Sequence, residues 1–376
     1  MYDVLVVGLG AVGSATTFEL AARGASVIGV DAFVPPHTLG STHGRSRIIR
    51  EAYFEHPSYV PLVQRAFARW AAIEAASGEA LYRQTGGLSI GQRESGLVTG
   101  VMRSAREHGL DVEMLGEDEM RGRYPAFALE RGMVGVFERN AGMLAPEACI
   151  RACLRLASAG GAELATGERV VGIKRNGVGF LAMTPRREIP ARRVILCAGA
   201  WNAQLFAMLG INLPLVVTRQ TMHWLAPEGD ASLRAPEHFP VTLVDHGDER
   251  IFYAMPDVGD GVKAAIHHEG VATMPEAVGR AVLASDTAPV VELSRRFIPG
   301  VAGAIVESAV CLYTNTPDHD FAIGVPDAAP GVVVVSACSG HGFKFASAIG
   351  EAAAQLALER EVDVDLSHFS VDRFRA

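Results

Sequence analysis

Lysine is scarce in this chain. Of 34 lysines and arginines together, only Lys174, Lys263 and Lys344 are lysine. Arginine cannot give up its proton and its fork is bulkier than an ammonium, so a chain that writes nearly every cation as Arg has kept Lys where Arg will not serve. Lys344 closes the stretch Ser339-Gly340-His341-Gly342-Phe343-Lys344-Phe345. The glycines at 340 and 342 let a backbone pass close to something flat or charged, and Lys344 brings a cation there. Upstream, Cys311 and Tyr313 lie two residues apart in an apolar run. Period-two counting puts this thiol and phenol on one face of a strand. Taken singly these are a core cysteine, a loop and a surface lysine, and the rest of the chain must decide between the readings.

A second constellation opens the chain. The buried-type strand at 3–7 runs into Gly8-Leu9-Gly10-Ala11-Val12-Gly13, then an apolar helix to Arg23-Gly24, then a strand over 26–30 ending in Asp31. Strand, GxGxxG, helix, strand and acid in that order are the dinucleotide-binding fingerprint in its proper context. Gly8 makes the tight turn, Gly10 lets a pyrophosphate approach and Gly13 packs helix on sheet. The helix N-terminus faces the phosphates and Asp31 can accept hydrogen bonds from a ribose. The stretch His43-Gly44-Arg45-Ser46-Arg47-Ile48-Ile49-Arg50 is densely cationic. The whole segment 35–50 reads as a turn-rich loop ending in a helix start or a strand. A solvated face would account for the charge, but Ile48-Ile49 suggests burial, where unpaired cations are costly. Phosphate, flavin or a substrate carboxylate would pair them.

The elements between must position these groups. Val60, Val63, Phe67, Trp70 and Ile73 recur at helical spacing over 58–77 and read as core. A strand is expected over 85–90, and helices over 94–108 and 146–159. Short strands follow over 162–164, 169–174 and 180–183, then a buried-type strand over 193–197 ending in Ala198-Gly199-Ala200-Trp201. From 215 to 268 the pattern changes to alternating strands (215–225, 241–245, 250–255, 262–268), with His246-Gly247-Asp248-Glu249 as a hairpin turn. This reads as an antiparallel sheet, followed by a helix over 275–298 and a strand over 307–313. A parallel-type strand at 332–336 and a helix over 347–359 return the chain to the first sheet.

Length and composition bound the rest. At 376 residues the chain has room for two domains. A net charge of -8 argues against a nucleic-acid partner, and the absence of a run of about 18 apolar residues argues against a membrane span. The start lacks the pattern of a signal peptide. Cys149, Cys153, Cys197, Cys311 and Cys338 fit no zinc spacing. A reducing, cytoplasmic setting without a disulfide framework is expected, and no metal site.

The motifs GLGAVG with VDAFVPPH, GSTHGRSRIIR, CAGAW, AVCLYTNTPD and SGHGFKF resemble, over essentially the whole chain, the monomeric sarcosine oxidase family, which includes N-methyltryptophan oxidase. The resemblance implies an α/β fold of the α+β two-domain kind. A Rossmann-like FAD-binding domain would be assembled from 1–84, 145–214 and 319–376. An antiparallel-sheet substrate domain would come from 85–144 and 215–318. It implies FAD joined by a thioether to Cys311, with His43 and Arg47 near the flavin as the cations that favour the thiolate. The cofactor site would include Gly8, Gly10, Val12, Gly13, Asp31, Ser41, Val170, Gly199, Trp201, Gly340, Gly342 and Lys344. Arg50 and Lys344 would bind the substrate carboxylate, with Tyr253, Tyr313 and Gly340 closing the pocket. His267 would tune protonation of the amine, and Lys263 would stabilise the anion formed as O2 is reduced. Lys263, His267, Arg47 and Tyr313 thus carry the catalytic roles.

The implied activity is oxidation of a secondary (N-methyl) amino acid by O2 in a monomer, giving an imine, then aldehyde and primary amine, plus hydrogen peroxide. N-methyltryptophan, or a cyclic amino acid such as pipecolate or proline, is the alternative substrate. A flavin dehydrogenase not using O2, which Lys263 argues against, and a non-catalytic dinucleotide-binding regulator are the competing classes. The chain departs from the family pattern at Thr42-His43, where two adjacent histidines are usual, and at Arg45, where an aspartate is. Arg45 would either alter flavin attachment or pair with an acid. Met255 stands where an aromatic residue is usual, so substrate identity carries over least.

Overall fold

The computed structural model describes residues 1–374. The strand Tyr2–Val7 lies at the centre of an eight-stranded sheet. It pairs in parallel with Val27–Asp31 on one side and Glu188–Leu196 on the other. Glu163–Thr166 and Val332–Ser336 extend the parallel set outward. The hairpin Gly172–Asn176/Gly179–Met183 joins antiparallel to the first half of Glu188–Leu196. The strands are continuously apolar because both faces are covered. Val4 and Val6 pack toward the helices Ala11–Ala22, Tyr59–Ser77, Pro146–Ala159 and Ala346–Ala357, while Leu5 and Val7 pack against Phe180, Leu205 and Phe206. The stripe Val60, Val63, Trp70 and Ile73 is buried in the first of these cores, with Phe67 packed at its edge.

The second sheet has nine strands and follows the expected alternation, with one exception to antiparallel pairing: Val241–Asp245 runs parallel to Gly87–Gln92. Three further differences from the sequence reading stand out. The helix expected over 275–298 begins only at Ala284. The carbonyls of Gly279 and Ala281 accept from the Arg219 guanidinium, and the Asp286 carboxylate caps Leu283 N–H, which fixes the start. The strand expected over 307–313 runs from Val301 to Asn315, because it pairs along nearly the whole of Val216–Pro227. The strands Val112–Leu115 and Met133–Glu138, and a small sheet of Arg47–Ile49, Gly142–Leu144 and Tyr82–Gln84, had no counterpart in the reading.

Period-two geometry makes one face of the large sheet chemically dense. Tyr253 is in register with Leu243 and Ala265, and Met255 with Lys263, so Ile251, Tyr253 and Met255 share a face with Lys263 and His267. Trp224 is in register with Lys263 and Gln220 with Cys311, which brings Cys311 and Tyr313 to the same face.

The glycine turn packs the helix Ala11–Ala22 against the end of the strand Tyr2–Val7. Gly8 has φ +96°, and a Cβ on Gly13 would sit 1.7 Å from the Gly8 carbonyl oxygen. Gly13→Ala is therefore expected to destabilise the protein by about 3 kcal/mol or more. Thermal unfolding checks this: an unchanged midpoint would mean that the helix can move away from the strand.

Candidate active site

A cavity of about 450 Å³ runs between the two sheets, from Asp31 at one end to His267 and Lys344 at the other. Of the cofactor, substrate and catalytic residues expected from the sequence, all line it except Gly13, His43 and Lys263. Gly13 lies behind the turn, packed on Gly8. At the glycine end, Gly8, Gly10 and Val12 meet the cavity where the helix begins, so backbone N–H groups and the positive end of the helix dipole face it. Both Asp31 carboxylate oxygens already accept from backbone, Leu9 N–H at 2.7 Å and Phe33 N–H at 2.8 Å. Asp31 thus organises the turn, and one lone pair on each oxygen remains for a ribose. Val170, Gly199 and Trp201 form the facing wall. The buried Trp201 Nε1 has no hydrogen-bond partner among the described residues. Glycine cradle, helix terminus and acid together fit a dinucleotide. Ser41, Gly342 and Cys311 continue the wall toward the other end.

Arg47 bridges this middle region. Its Nη2 donates to the Ser41 carbonyl at 2.9 Å and lies 3.9 Å from Cys311 Sγ. Burial pushes the Cys311 thiol up, against the pull of Arg47 and Lys263, so cations moderate the thiol without making it a thiolate in this form. His43 is not one of those cations. Burial, then Arg47 and Lys263, push it down to about 4, so it is neutral near pH 7. Lys263 stands behind the cavity wall, with Nζ donating to the carbonyls of Gly44 at 2.8 Å and Ser46 at 2.7 Å. Burial first and Arg47 second hold its pKa well below the ordinary lysine range. Arg45 pairs with Asp260 and Glu307, the acid partners that one reading of that residue expected.

The far end gathers the substrate candidates. Gly340, at φ +77°, lets the loop press between two rings: a Cβ there would lie 2.5 Å from both His267 and Tyr313. His267 Nδ1 is 3.2 Å from Tyr313 Oη. Burial, followed by His268, His341, Lys344 and Arg50, keeps His267 neutral. Tyr253 is pushed up to about 12 by burial, and Tyr313 well above its ordinary value, so both remain phenols. Arg50 is 6% exposed and lies over the rings of Tyr53 and Phe54 at 4.2 and 5.0 Å. It donates to the Ala52 carbonyl and pairs with Glu55 at 2.8 Å. Lys344 Nζ donates to the His341 carbonyl at 2.8 Å and lies 3.2 Å from Tyr53 Oη. Burial and Arg50 lower Lys344 to about 7, with Glu55 opposing.

Several residues along the cleft escaped the sequence reading: Tyr53, Phe54 and Glu55 beside Arg50 at the far end, Cys338 beside Cys311 in the middle, and Phe33 and Arg169 near Asp31 at the glycine end. Tyr53 and Glu55 follow closely on Arg50, so the signal was their proximity to a buried cation. Cys338 precedes the SGHGFKF run by one position, but nothing in its spacing points to Cys311.

This fold and cleft define an FAD-binding oxidoreductase. The chain belongs to the FAD dependent oxidoreductase family, whose model matches residues 3–356. It is 37% identical over 362 residues to a monomeric sarcosine oxidase of Streptomyces avermitilis, covering 95% of this chain and 94% of that protein. It is 35% identical over 378 residues to an N-methyl-L-tryptophan oxidase of Yersinia pestis, covering 100% of both. The crystal structure of a glycine oxidase from Geobacillus kaustophilus shares the fold, with a TM-score of 0.85 at 21% identity over 100% of this chain and 99% of that one.

The Arg50–Glu55 pair leads to a prediction. A carboxylate ligand must displace Glu55 from Arg50 or share it, so Glu55→Gln should tighten binding of propionate about three- to tenfold at about pH 5.5, where Lys344 stays charged without the help of Glu55. Calorimetric titration checks this; weaker binding would mean that Glu55 is needed to hold Arg50 in place.

Proposed function

We propose that this chain is a flavin-dependent oxidase of a secondary, N-methyl amino acid of the sarcosine type. The observation that carries this reading is the pair of buried cations, Arg50 and Lys344, at the end of a dinucleotide cleft beside neutral aromatic and imidazole groups. Overall, sarcosine, O2 and water would give glycine, formaldehyde and hydrogen peroxide. Residues 1–84, 145–214 and 319–374 would serve as the cofactor-binding part, and 85–144 with 215–318 as the substrate part. FAD supplies the two-electron redox chemistry when bound. Gly8, Gly10, Val12 and the helix start would hold its pyrophosphate, Asp31 its ribose, and Cys311 its ring through a thioether.

The residues of the chain do the rest. Arg50 and Lys344 fix the substrate carboxylate, and with it the position of the N-methyl group. Tyr253 and Tyr313, both phenols, exclude water from the sides. The amine must be neutral to give up a hydride. Arg50, Lys344 and a neutral His267 make an ammonium costly here, which favours the reactive form. Lys263 is poised for the oxygen half-reaction. Its charge is expensive where it lies, and a negative charge developing nearby would relieve that cost. Leu243, Ile251 and Met255 form an aliphatic wall around Tyr253, which favours a bulkier N-methyl amino acid as the second reading.

Anaerobic mixing with millimolar sarcosine tests the proposal through flavin absorbance near 450 nm (roughly, a scale set by the cofactor). Bleaching that air reverses is expected. Absence of bleaching by sarcosine in protein that dithionite reduces, with bleaching by N-methyltryptophan, would move the assignment to the bulkier substrate. In Cys311→Ala the yellow colour should leave with the supernatant on acid precipitation; colour retained in the pellet would contradict attachment at Cys311.

A further inference from the structure

Lys344 is a buried cation whose charge is held without a carboxylate: among the described residues no acidic side chain forms a salt bridge with it. The groups that face it are Tyr53, Arg50 and Glu55 from one segment, His267 from the large sheet, and His341 from its own loop. Arg50 repels the ammonium, Glu55 attracts it from beyond contact, and the two histidines are kept neutral by burial. The direction of each hydrogen bond then follows. His341 Nε2 lies 3.2 Å from the His319 carbonyl oxygen, which can only accept, so Nε2 carries the ring proton. Nδ1 of the same neutral ring is therefore an acceptor, and Tyr53 Oη lies 2.7 Å from it. The phenol must spend its proton there. Its lone pairs are left facing Lys344 Nζ at 3.2 Å, where they can only accept.

We propose that Tyr53 and His341 are positioning residues that hold the Lys344 ammonium, charged and aimed, for the substrate carboxylate. This rests on the reading of Lys344 as a carboxylate holder. The bonds run one way, from Lys344 to Tyr53, from Tyr53 to His341, and from His341 to the backbone of His319. An accepting phenol stabilises an ammonium and gives an amine less. With His341 unable to accept, the phenol could turn its proton toward Lys344 and favour the uncharged form. The aromatic packing keeps the phenol from leaving: Tyr53 stacks on Tyr59 at 4.7 Å and meets Phe345 edge-on at 5.2 Å. The other end of the loop is also tied, because Trp70 Nε1 donates to the Lys344 carbonyl at 2.9 Å.

The sign of the pH dependence follows. Lys344 is charged below its pKa of about 7 and loses the charge as pH rises through it, so carboxylate binding should weaken on the alkaline side. Removing the accepting phenol should move that midpoint down. The test is propionate binding to the flavin-loaded protein between about pH 5.5 and 9, followed by calorimetry and by the flavin spectrum. For Tyr53→Phe the midpoint should fall by about one pH unit, so that the Kd rises about fivefold at pH 7 and about tenfold toward pH 9. His341→Leu should behave like Tyr53→Phe. His341→Asn, which can offer an acceptor near the position of Nδ1, should restore most of the affinity and the midpoint. Wild-type Kd and midpoint in both Tyr53→Phe and His341→Leu would overturn the proposal. Lys344→Met separates the two levels. If it binds propionate as tightly as wild type, the reading of Lys344 itself fails. If it loses binding while Tyr53→Phe does not, only the relay fails. Should Tyr53→Phe not fold, the contrast between His341→Leu and His341→Asn decides the matter.

Discussion

The constraint on which the structure depends is the burial of cations at the far end and middle of one cleft. Lys263 is 1% exposed, and Arg50 and Lys344 are each 6% exposed. A buried ion costs several kcal/mol unless it is paired and hydrogen-bonded. Here much of the compensation comes from oxygens that carry no charge: the carbonyls of Gly44 and Ser46 for Lys263, the carbonyl of His341 and the phenol of Tyr53 for Lys344. Only Arg50 has a carboxylate, and that belongs to Glu55 at the rim. Compensation by neutral dipoles leaves the positive potential in place for an incoming anion. It also explains why lysine was kept at 263 and 344. A compact ammonium fits between two carbonyls, and its proton responds to its surroundings, where a guanidinium would do neither.

The two sheets divide the work that this demands. The parallel sheet ends in a glycine turn and a helix N-terminus, which suit the phosphates of a dinucleotide. The antiparallel sheet supplies long registers, so that Cys311, Tyr313, Tyr253, Lys263 and His267 are presented from one rigid face. Neither sheet carries Arg50 or Lys344. Arg50 follows the short strand Arg47–Ile49, and Lys344 follows the glycine loop after Val332–Ser336. They meet because the helix Tyr59–Ser77 anchors both segments, through Tyr59 stacked on Tyr53 and Trp70 bonded to Lys344.

What the sequence made legible has a physical pattern. Gly8, Gly10 and Asp31 could be read because their roles are local: a turn, a helix start and the end of the next strand lie within one short unit. The faces of the antiparallel strands could be read because side chains alternate with an invariant period. Hidden were features set by partners distant in the chain. The strand at Val301–Asn315 is long because Val216–Pro227 pairs with it, and the helix begins only at Ala284 because Arg219 takes the carbonyls of Gly279 and Ala281 just before it. The neutral state of His43 is hidden in part for the same reason: Arg47 lies only four positions on, but the burial of the ring and the approach of Lys263 are set by the fold. Tyr53 and His341 lay within quoted or adjacent motifs, yet only the fold brings their side chains within hydrogen-bond distance.

The central claim is that recognition of a carboxylate by Arg50 and Lys344 positions the reacting amine. The most direct measurement compares the rate of anaerobic flavin reduction by sarcosine with that by sarcosine methyl ester, which keeps the N-methyl amine but replaces the carboxylate by an uncharged ester and has a less basic amine, so the two rates are compared per neutral amine. Two charge-assisted hydrogen bonds of roughly 1.5–3 kcal/mol each predict that the ester is slower by at least about a hundredfold in second-order rate. Equal rates for the two compounds would contradict the account, because the buried cations would then have no part in placing the substrate.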